Sequence, residues 1–228
     1  MKTDGAAVIP VVTIDGPSGA GKGTVASLVA HSKGWHLLDS GALYRIIAVA
    51  GLARGMDLAD VASLVALSTQ LEIVFADGKV MVDGADLTDG IRTEEAGNSA
   101  SQVAALPPVR EAILTLQQSF RKAPGLVADG RDMGTVVFPD APVKVFLDAS
   151  AEARAERRYN QLKNKGLGVN LRALLEQIQE RDARDRERAV APLKPAEDAV
   201  IIDSTLMSID EVVTTVLTQL SIKLNKVE

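Results

Sequence analysis

The chain has 228 residues, of which 46% are hydrophobic and 24% charged, a composition that excludes collagenous, coiled-coil and disordered proteins. It contains no cysteine, which excludes disulfides and Cys-ligated metal sites and favours a reducing compartment. A net charge of −5 gives no global basic field, so we expect no nucleic-acid partner.

The first part of the chain predicts a strand, a glycine-rich turn and a helix. Residues 8–15 are apolar and β-branched on both faces, as in a central strand of a parallel sheet. The turn at 16–21 leads into a helical pattern that ends near residue 34. A short strand at 35–38 and an apolar helix at 42–53 repeat this order. Because strands alternate with helices, we predict an α/β fold with a parallel sheet.

The pattern changes between about residues 57 and 93. A predicted helix at 61–71 is followed by two short β-rich runs, 71–75 and 80–82, on either side of Asp77-Gly78. Asp-Gly between two such runs is a strong hairpin signal. The sequence therefore predicts an antiparallel insert in an otherwise parallel protein.

The alternation of strands and helices resumes after the insert. A helical pattern from 94 to about 122 is interrupted by Pro107 and Pro108, which predicts two helices rather than one. The remaining predicted elements are strands at 125–129, 143–148 and 199–203, charged helices at 151–165 and 170–189, and a closing helix capped by Ser208.

Signals for membranes, export and nucleophilic catalysis were not found. No apolar run approaches the roughly 18 residues of a membrane span, and Met1 to Ala7 carry no basic region ahead of an apolar stretch. We therefore expect a cytoplasmic protein without a membrane partner. His31 and His36 have no Ser or Cys partner signature, so no nucleophilic triad is expected.

The turn after the first strand carries a phosphate-binding pattern, Gly16-x4-Gly21-Lys22. Small residues let consecutive backbone N–H groups point inward, and Lys22 reaches phosphate oxygens. The flanking strand and helix are the context that the pattern requires. Gly23 stands where Ser or Thr commonly binds Mg²⁺, and Thr24 comes one residue later. The pattern therefore predicts a phosphate cradle and leaves the metal ligands open.

Charged residues also follow two other predicted strands. Arg45, in the run 39–45, would present a planar fork to a phosphate near the loop, although such an arginine is commonly a solvated charge. The run 129–132, which is Asp-Gly-Arg-Asp, lies at the same sheet edge, where a plain turn is the alternative. Asp129 and Asp148 each end a strand and could bind a metal ion; we favour Asp129.

The predicted helix at 170–189 contains a dense run of mixed charge. Such a run is typical of a solvated helix face with i,i+4 pairs. Here three arginines and a carboxylate share one side of the helix, a stripe that suits a polyphosphate and a ribose hydroxyl: Arg181, Arg184, Asp185 and Arg188. The helix before it carries three more arginines, so the pair could close over a nucleotide: Arg154, Arg157 and Arg158.

These motifs resemble the bacterial cytidylate kinase family. The matching segments are 16–24, 39–45, 91–95, 100–104, 129–139 and 181–188, and they span nearly the whole chain. Other nucleoside monophosphate kinases share the loop but not the full set. The resemblance is therefore more specific than the loop alone.

The resemblance implies an α/β P-loop kinase core with a five-stranded parallel sheet flanked by helices, an antiparallel β-containing monophosphate-binding insert and a helical lid. The core would be 1–56, 97–150 and 189–228, the insert 57–96 and the lid 151–188. The implied reaction is transfer of the γ-phosphoryl group of ATP to CMP or dCMP, with Mg²⁺, in pyrimidine nucleotide metabolism. Small-molecule nucleotides would be the partners of a monomeric enzyme.

The resemblance also assigns roles to individual residues. ATP would be held by the loop Gly16, Pro17, Ser18, Gly19, Ala20, Gly21, Lys22, Gly23 and Thr24. The cytosine edge would be read by Ser101, Arg110 and Asp132. The acceptor phosphate would be held by Arg45, Arg131 and Arg188, with Ser40 nearby, and the ribose by Arg181 and Asp185. The catalytic set would be Lys22, Arg131, Arg188 and Arg157, the last acting on ATP from the lid, and Asp129 would bind the metal.

The chemistry of the bases explains why Asp132 would select cytosine. Its carboxylate accepts a hydrogen bond from the exocyclic amine of cytosine, whereas uracil offers a carbonyl there. Two opposed acceptors cost roughly 1–3 kcal/mol per lost contact. Phosphoryl transfer spreads negative charge over oxygens, so the site needs cations rather than a strong base. Lid closure about hinges near Ser150 and Ala189 would exclude water.

Two other functions remain open at this point. A P-loop kinase could act on UMP, AMP or shikimate instead. A nucleotide-dependent switch could hydrolyse ATP to reset a protein interaction. Against the switch, the sequence shows no second motif that would orient a lytic water, whereas three arginines offer an acceptor phosphate a place to bind.

Overall fold

A computed structural model describes residues 9–76 and 79–224. Asp77-Gly78, predicted as the hairpin turn, and Met1 to Ala7 lie outside the described residues. In chain order the elements are β1 (Val11–Asp15), α1 (Lys22–Lys33), β2 (His36–Asp39), α2 (Ser40–Ala53), α3 (Val61–Gln70), β3 (Ile73–Ala76), β4 (Lys79–Val82), β5 (Ala85–Asp86), α4 (Glu94–Val103), α5 (Pro107–Ser119), β6 (Leu126–Gly130), β7 (Val143–Asp148), α6 (Ala151–Asn164), α7 (Leu171–Glu187), β8 (Val200–Asp203) and α8 (Ile209–Leu224).

The main sheet has five parallel strands in the order β2-β6-β1-β7-β8. This confirms the predicted α/β fold class. The central strand β1 is buried along its whole length, as its apolar, β-branched sequence predicted. The register places Asp15 beside Gly130, and Asp39 beside Asp129. The carboxyl ends of β1, β2 and β6 therefore meet at one edge of the sheet.

Helices cover both faces of this sheet. On one face Leu43, Ile47 and Ile113 pack against strand residues that include Leu126. On the other face residues of α1 and α8, such as Val25 and Val216, pack against Val12, Ile14 and Val145. Full burial of such a side chain contributes about 1.5–3 kcal/mol to stability. The two cores fix the strand ends that carry the polar residues of the site.

A second sheet lies within residues 57–96. Its three strands are antiparallel, in the order β3-β4-β5. Strand β5 was not predicted, because two residues are too few to show a period; it follows a tight turn with φ of 49° at Asp83 and 80° at Gly84. Val80 and Val82 pack with Ile91 against α2. The small sheet thus rests on the helix that carries Tyr44 and Arg45.

Local capping explains several helix boundaries. Pro107 and Pro108 begin α5, which confirms the prediction of two helices. Helix α2 begins at Ser40 rather than at 42, because the Asp39 carboxylate accepts a hydrogen bond from the Ala42 N–H at 2.9 Å. Ser208 and Glu211 bond reciprocally before α8, as in a capping box.

Two further findings concern helices. A π-helix at Met133–Val137 was not predicted from the sequence. Among the described residues, the helices are too short or too polar to cross a membrane.

Candidate active site

The glycine loop joins β1 to α1 and leaves the start of that helix open. A Cβ added at Gly16 would lie 2.0 Å from the Leu147 carbonyl oxygen, so the loop can approach β7 only with glycine there. Gly21 precedes α1 with a φ of 93°, and no side chain caps this helix. The first N–H groups of α1 are therefore available to an anion such as a phosphate.

Lys22 is buried inside this loop. Its Nζ donates to the Pro17 carbonyl oxygen at 2.8 Å and lies 4.0 Å from Asp129 Oδ1. Burial, aided by the positive charge of Arg131, lowers the pKa of Lys22 to about 7. A bound polyphosphate would offset both effects and raise the pKa of Lys22, because it places negative charge beside the ammonium group.

A cavity of about 310 Å³ opens beside the loop, at the carboxyl ends of β1, β2 and β6. Its walls come from the loop, α2, α4, α5 and α7. The cationic side chains that line it are Lys22, Arg45, Arg110, Arg131, Arg181 and Arg188, and the acidic ones are Asp39, Asp129, Asp132 and Asp185. An excess of cations in a protein of net charge −5 indicates an anionic ligand.

The structure brings most of the predicted site residues together here. From the predicted acceptor set, the cavity is lined by Ser40, Arg45, Ser101, Arg110, Arg131, Asp132, Arg181, Asp185 and Arg188. From the loop, it is lined by Ser18, Gly19, Gly21, Lys22, Gly23 and Thr24. Asp129, the predicted metal ligand, also lines it.

At one end of the cavity Asp132 is enclosed by arginines. Arg110 Nη2 pairs with Asp132 Oδ2, and Arg188 Nη2 lies 3.8 Å from Asp132 Oδ1. All three side chains are at least nine-tenths buried. The Arg110 guanidinium also lies 5.7 Å from the centre of the Tyr44 ring. This end combines hydrogen-bonding groups with an aromatic wall, which suits a nucleotide base.

Asp185 also lines the cavity, and its carboxylate accepts hydrogen bonds from two side chains. Ser101 Oγ donates to its Oδ1 at 3.1 Å, and Arg131 Nε donates to its Oδ2 at 2.9 Å. Although burial works to raise it, the charges of Arg131 and Arg181 hold the pKa of Asp185 below its usual value. Ser101 therefore contacts the carboxylate predicted to bind the ribose, in the same cavity as Arg110 and Asp132.

Ser40 and Arg45 project from the first two turns of α2. Ser40 Oγ accepts a hydrogen bond from Gln117 Nε2 at 2.8 Å, which leaves the serine proton free to donate. Arg45 Nη1 lies 3.5 Å from Asp39 Oδ2. Nearby, burial and the charge of Arg131 lower the pKa of Arg181 to about 10. These groups can donate hydrogen bonds to phosphate oxygens.

The donor set at Asp129 fits Mg²⁺. This ion commonly uses one or two protein carboxylates together with phosphate oxygens and water. Asp129 faces the cavity, and burial raises its pKa to about 6, so it is mostly ionised at neutral pH. A Cβ at Gly23 would lie 3.4 Å from Asp129 Oδ2, so the carboxylate approaches the position where Ser or Thr commonly stands. Asp148 does not line the cavity, and its Oδ1 accepts from the Ala149 N–H.

Arg157 is placed apart from the other predicted catalytic residues. Its Nη2 donates to the carbonyl oxygens of Ser204 and Thr205, between β8 and α8. It lines an adjacent cavity, also of about 310 Å³, that shares Ser18, Gly19, Arg45 and Arg181 with the first. The role of Arg157 on ATP stays a prediction.

Asp15 does not line the cavity but supports it from behind, a role that the sequence analysis missed. Its carboxylate accepts hydrogen bonds from the Met133 and Gly134 N–H groups, each at 2.8 Å. Burial raises its pKa to about 7. The carboxylate holds the backbone that directly follows Arg131 and Asp132. One signal was available, since Asp15 ends a buried strand as Asp129 does.

Arg154, one of the arginines predicted to close over a nucleotide, is bonded to protein groups instead. Its Nη1 donates to the Ser18 carbonyl oxygen and to Asp182 Oδ1, both at 3.0 Å. Its Nε donates to the Ala149 carbonyl oxygen at 2.9 Å. Arg154 therefore links α6 and α7 to the phosphate loop.

A glycine loop between a central strand and a helix, facing a second cation-rich surface at the same sheet edge, defines a P-loop kinase. The sequence comparisons agree with this class. A sequence model of the family described as cytidylate kinase matches residues 12–222. The chain therefore belongs to the cytidylate kinase family and is a kinase.

The chain is similar to curated proteins named cytidylate kinase. One from Aeromonas hydrophila subsp. hydrophila is 62% identical over 212 residues, covering 91% of this chain and 92% of that protein. One from Pseudomonas aeruginosa strain UCBPP-PA14 is 60% identical over 215 residues, covering 92% and 94%. Among solved structures, a gluconokinase from Sinorhizobium meliloti 1021 is 16% identical with a TM-score of 0.46, covering 96% of this chain and 97% of that one. This last similarity is too low to support any functional conclusion.

Proposed function

We propose that this protein transfers the γ-phosphoryl group of ATP to CMP or dCMP and releases ADP and CDP or dCDP. One observation carries the proposal. A single cavity joins the open glycine loop, with Lys22 inside it, to the buried pair of Arg110 and Asp132. The glycine loop suits a triphosphate, and the pair of Arg110 and Asp132 offers a guanidinium and a carboxylate to the edge of a base. Membership of the cytidylate kinase family supports the same reaction.

In this proposal, catalysis depends mainly on positively charged groups. The loop N–H groups and Lys22 hold the phosphates of ATP. Arg131 and Arg188, which line the same cavity, hold the phosphate of the acceptor. During transfer, negative charge spreads over the γ-phosphoryl oxygens, and these fixed cations stabilise it. Mg²⁺ bound at Asp129 would neutralise further charge on the phosphates. No residue is assigned as a general base.

Acceptor recognition divides the remaining residues into two groups. Asp132 accepts a hydrogen bond from the exocyclic amine of cytosine, with Arg110 beside it, and this pair disfavours uracil. Ser101 belongs to the same base-reading group, and its hydroxyl also donates to Asp185. Asp185 and Arg181 bind the ribose. Arg45 and Ser40 hold the acceptor phosphate.

The segment 151–188 acts as a lid in this proposal, with hinges near Ser150 and Ala189. Closure would keep water from the γ-phosphoryl group. Arg157 lies on this segment, and to reach ATP it must leave the carbonyl oxygens of Ser204 and Thr205. We further expect a cytoplasmic monomer. Light scattering at several protein concentrations measures the mass of the protein and so tests the monomeric state.

The proposed reaction is tested by a coupled assay of ADP release with CMP, dCMP, UMP, AMP and shikimate as acceptors. We expect CMP and dCMP to give the highest kcat/KM. Faster turnover with AMP or shikimate would refute the proposal. A rate of ADP release that no acceptor changes would instead favour a nucleotide-dependent switch.

A further inference from the structure

The Tyr44 hydroxyl is a buried polar group that has no hydrogen-bond partner among the described residues. Tyr44 is 5% exposed and lines the acceptor side of the cavity. A buried hydroxyl without a partner costs free energy, so buried hydroxyls are usually bonded to protein or to a ligand. Its position in the cavity wall points to a ligand.

The charged groups around the phenol are Arg110, Asp132 and Arg188. Both guanidinium groups can only donate hydrogen bonds. Asp132 is the acceptor among these groups, and it makes no hydrogen bond with the phenol. The phenol proton is therefore free to go to an acceptor atom on a ligand. Burial raises the pKa of Tyr44 to about 12, so the hydroxyl keeps that proton at neutral pH.

The neighbours of Tyr44 place it at the base end of the cavity. The cavity wall also contains Ala100 and Ala104, which pack in one cluster with Tyr44 and whose apolar side chains suit the flat face of a ring. Arg110, which pairs with Asp132, lies over the Tyr44 ring. The phenol is thus grouped with the residues that face the base in the proposed function.

We propose that the Tyr44 hydroxyl donates a hydrogen bond to the ring carbonyl that cytosine and uracil share, which makes Tyr44 a specificity-determining residue for pyrimidine acceptors. This inference rests on the proposed function. It assigns Tyr44 a different task from Asp132, since Asp132 reads the amine that only cytosine carries. Tyr44 selects the pyrimidine class, and Asp132 selects cytosine within it.

The test is the variant Tyr44→Phe, which removes a single oxygen atom. We expect KM for CMP and for dCMP, and the inhibition constant of cytidine, to rise by the same factor of about three to ten. KM for ATP stays unchanged. Because the hydroxyl donates no hydrogen bond to a described protein group, Tm of the ligand-free variant stays close to that of the wild type. Tyr159→Phe on α6, outside both cavities, is the matched control and leaves every constant unchanged.

Three results would overturn the inference. The first is an unchanged KM for CMP, and the second is a parallel rise of KM for CMP and for ATP. The third is a weaker affinity for CMP with an unchanged affinity for cytidine, because that result would place the contact at the phosphate. Failure of the proposed function is distinguishable, because the wild type would then release no ADP in response to CMP.

Discussion

Binding of ATP should draw one proton into the site, because Lys22 is held partly neutral when the loop is empty. Its pKa of about 7 results from burial and from the nearby charge of Arg131. Negative phosphate charge beside Nζ favours the ammonium form and returns the pKa toward its ordinary value of 10.5. A lysine that is neutral before binding must then take up a proton.

The size of the uptake follows from these two pKa values. At pH 8 about one-tenth of Lys22 is protonated in the empty site and nearly all of it in the complex, which gives an uptake of about 0.9 proton. At pH 6 most of Lys22 is already charged, and the uptake falls to about 0.1 proton. Since the complex holds more protons than the free protein, affinity for ATP decreases by up to about tenfold per pH unit between pH 7 and pH 10.

Isothermal titration calorimetry measures this uptake directly. MgATP is titrated without an acceptor at pH 6 and at pH 8, in pairs of buffers with different enthalpies of ionisation. The control is Lys22→Arg, whose side chain stays protonated and should take up almost no proton at either pH. An uptake below about 0.2 proton at pH 8, or equal uptake in wild type and Lys22→Arg, would refute the reasoning.

Three further substitutions test the site. Asp132→Ala leaves Arg110 buried without its partner, so kcat/KM for CMP should fall at least about tenfold while Kd for ATP changes little. Asp15→Asn can accept through only one oxygen, so one of two N–H bonds is lost and urea unfolding should show a loss of about 1–3 kcal/mol. Arg154→Ala breaks the buried bond to Asp182, which should lower Tm by about 10 °C in a thermal melt and weaken ATP binding.

Matched controls separate these effects from general loss of charge. Asp140→Ala removes an exposed carboxylate that pairs with Arg121, and Arg172→Ala removes an exposed arginine that pairs with Glu176. Both should stay within about 0.5 kcal/mol of the wild type. Equal losses of CMP use and ATP binding in Asp132→Ala would make Asp132 a structural residue. Wild-type stability of Asp15→Asn or Arg154→Ala would contradict the bonding described for each.

Most of the fold could be predicted because its signals are local. The apolar, β-branched run before Gly16 predicted the central strand, and Pro107 and Pro108 marked the start of α5. Strand β5 and the π-helix carried no such signal. The π-helix begins where Asp15, 118 residues earlier in the chain, accepts the Met133 N–H. A contact of that separation leaves no trace in a local pattern.

The sequence predicted which edge of the sheet carries the site, but not which side chains of the site bond to each other. Runs that follow strands placed Asp129, Arg131 and Asp132 at the carboxyl edge, where the structure has them. The pairing of Ser101 with Asp185 joins residues 84 apart in the chain, and that of Gln117 with Ser40 joins residues 77 apart. Spacing alone could not show these pairs, because they depend on how α4, α5 and α7 pack.

The central claim is that two nucleotides bind head to head in one cavity, and a crystal structure with CMP and a non-hydrolysable ATP analogue tests it most directly. We predict the triphosphate in the loop against Lys22 and the CMP phosphate between Arg131 and Arg188, with its base beside Asp132. A structure in which CMP binds elsewhere while those arginines keep only their protein partners would contradict the claim.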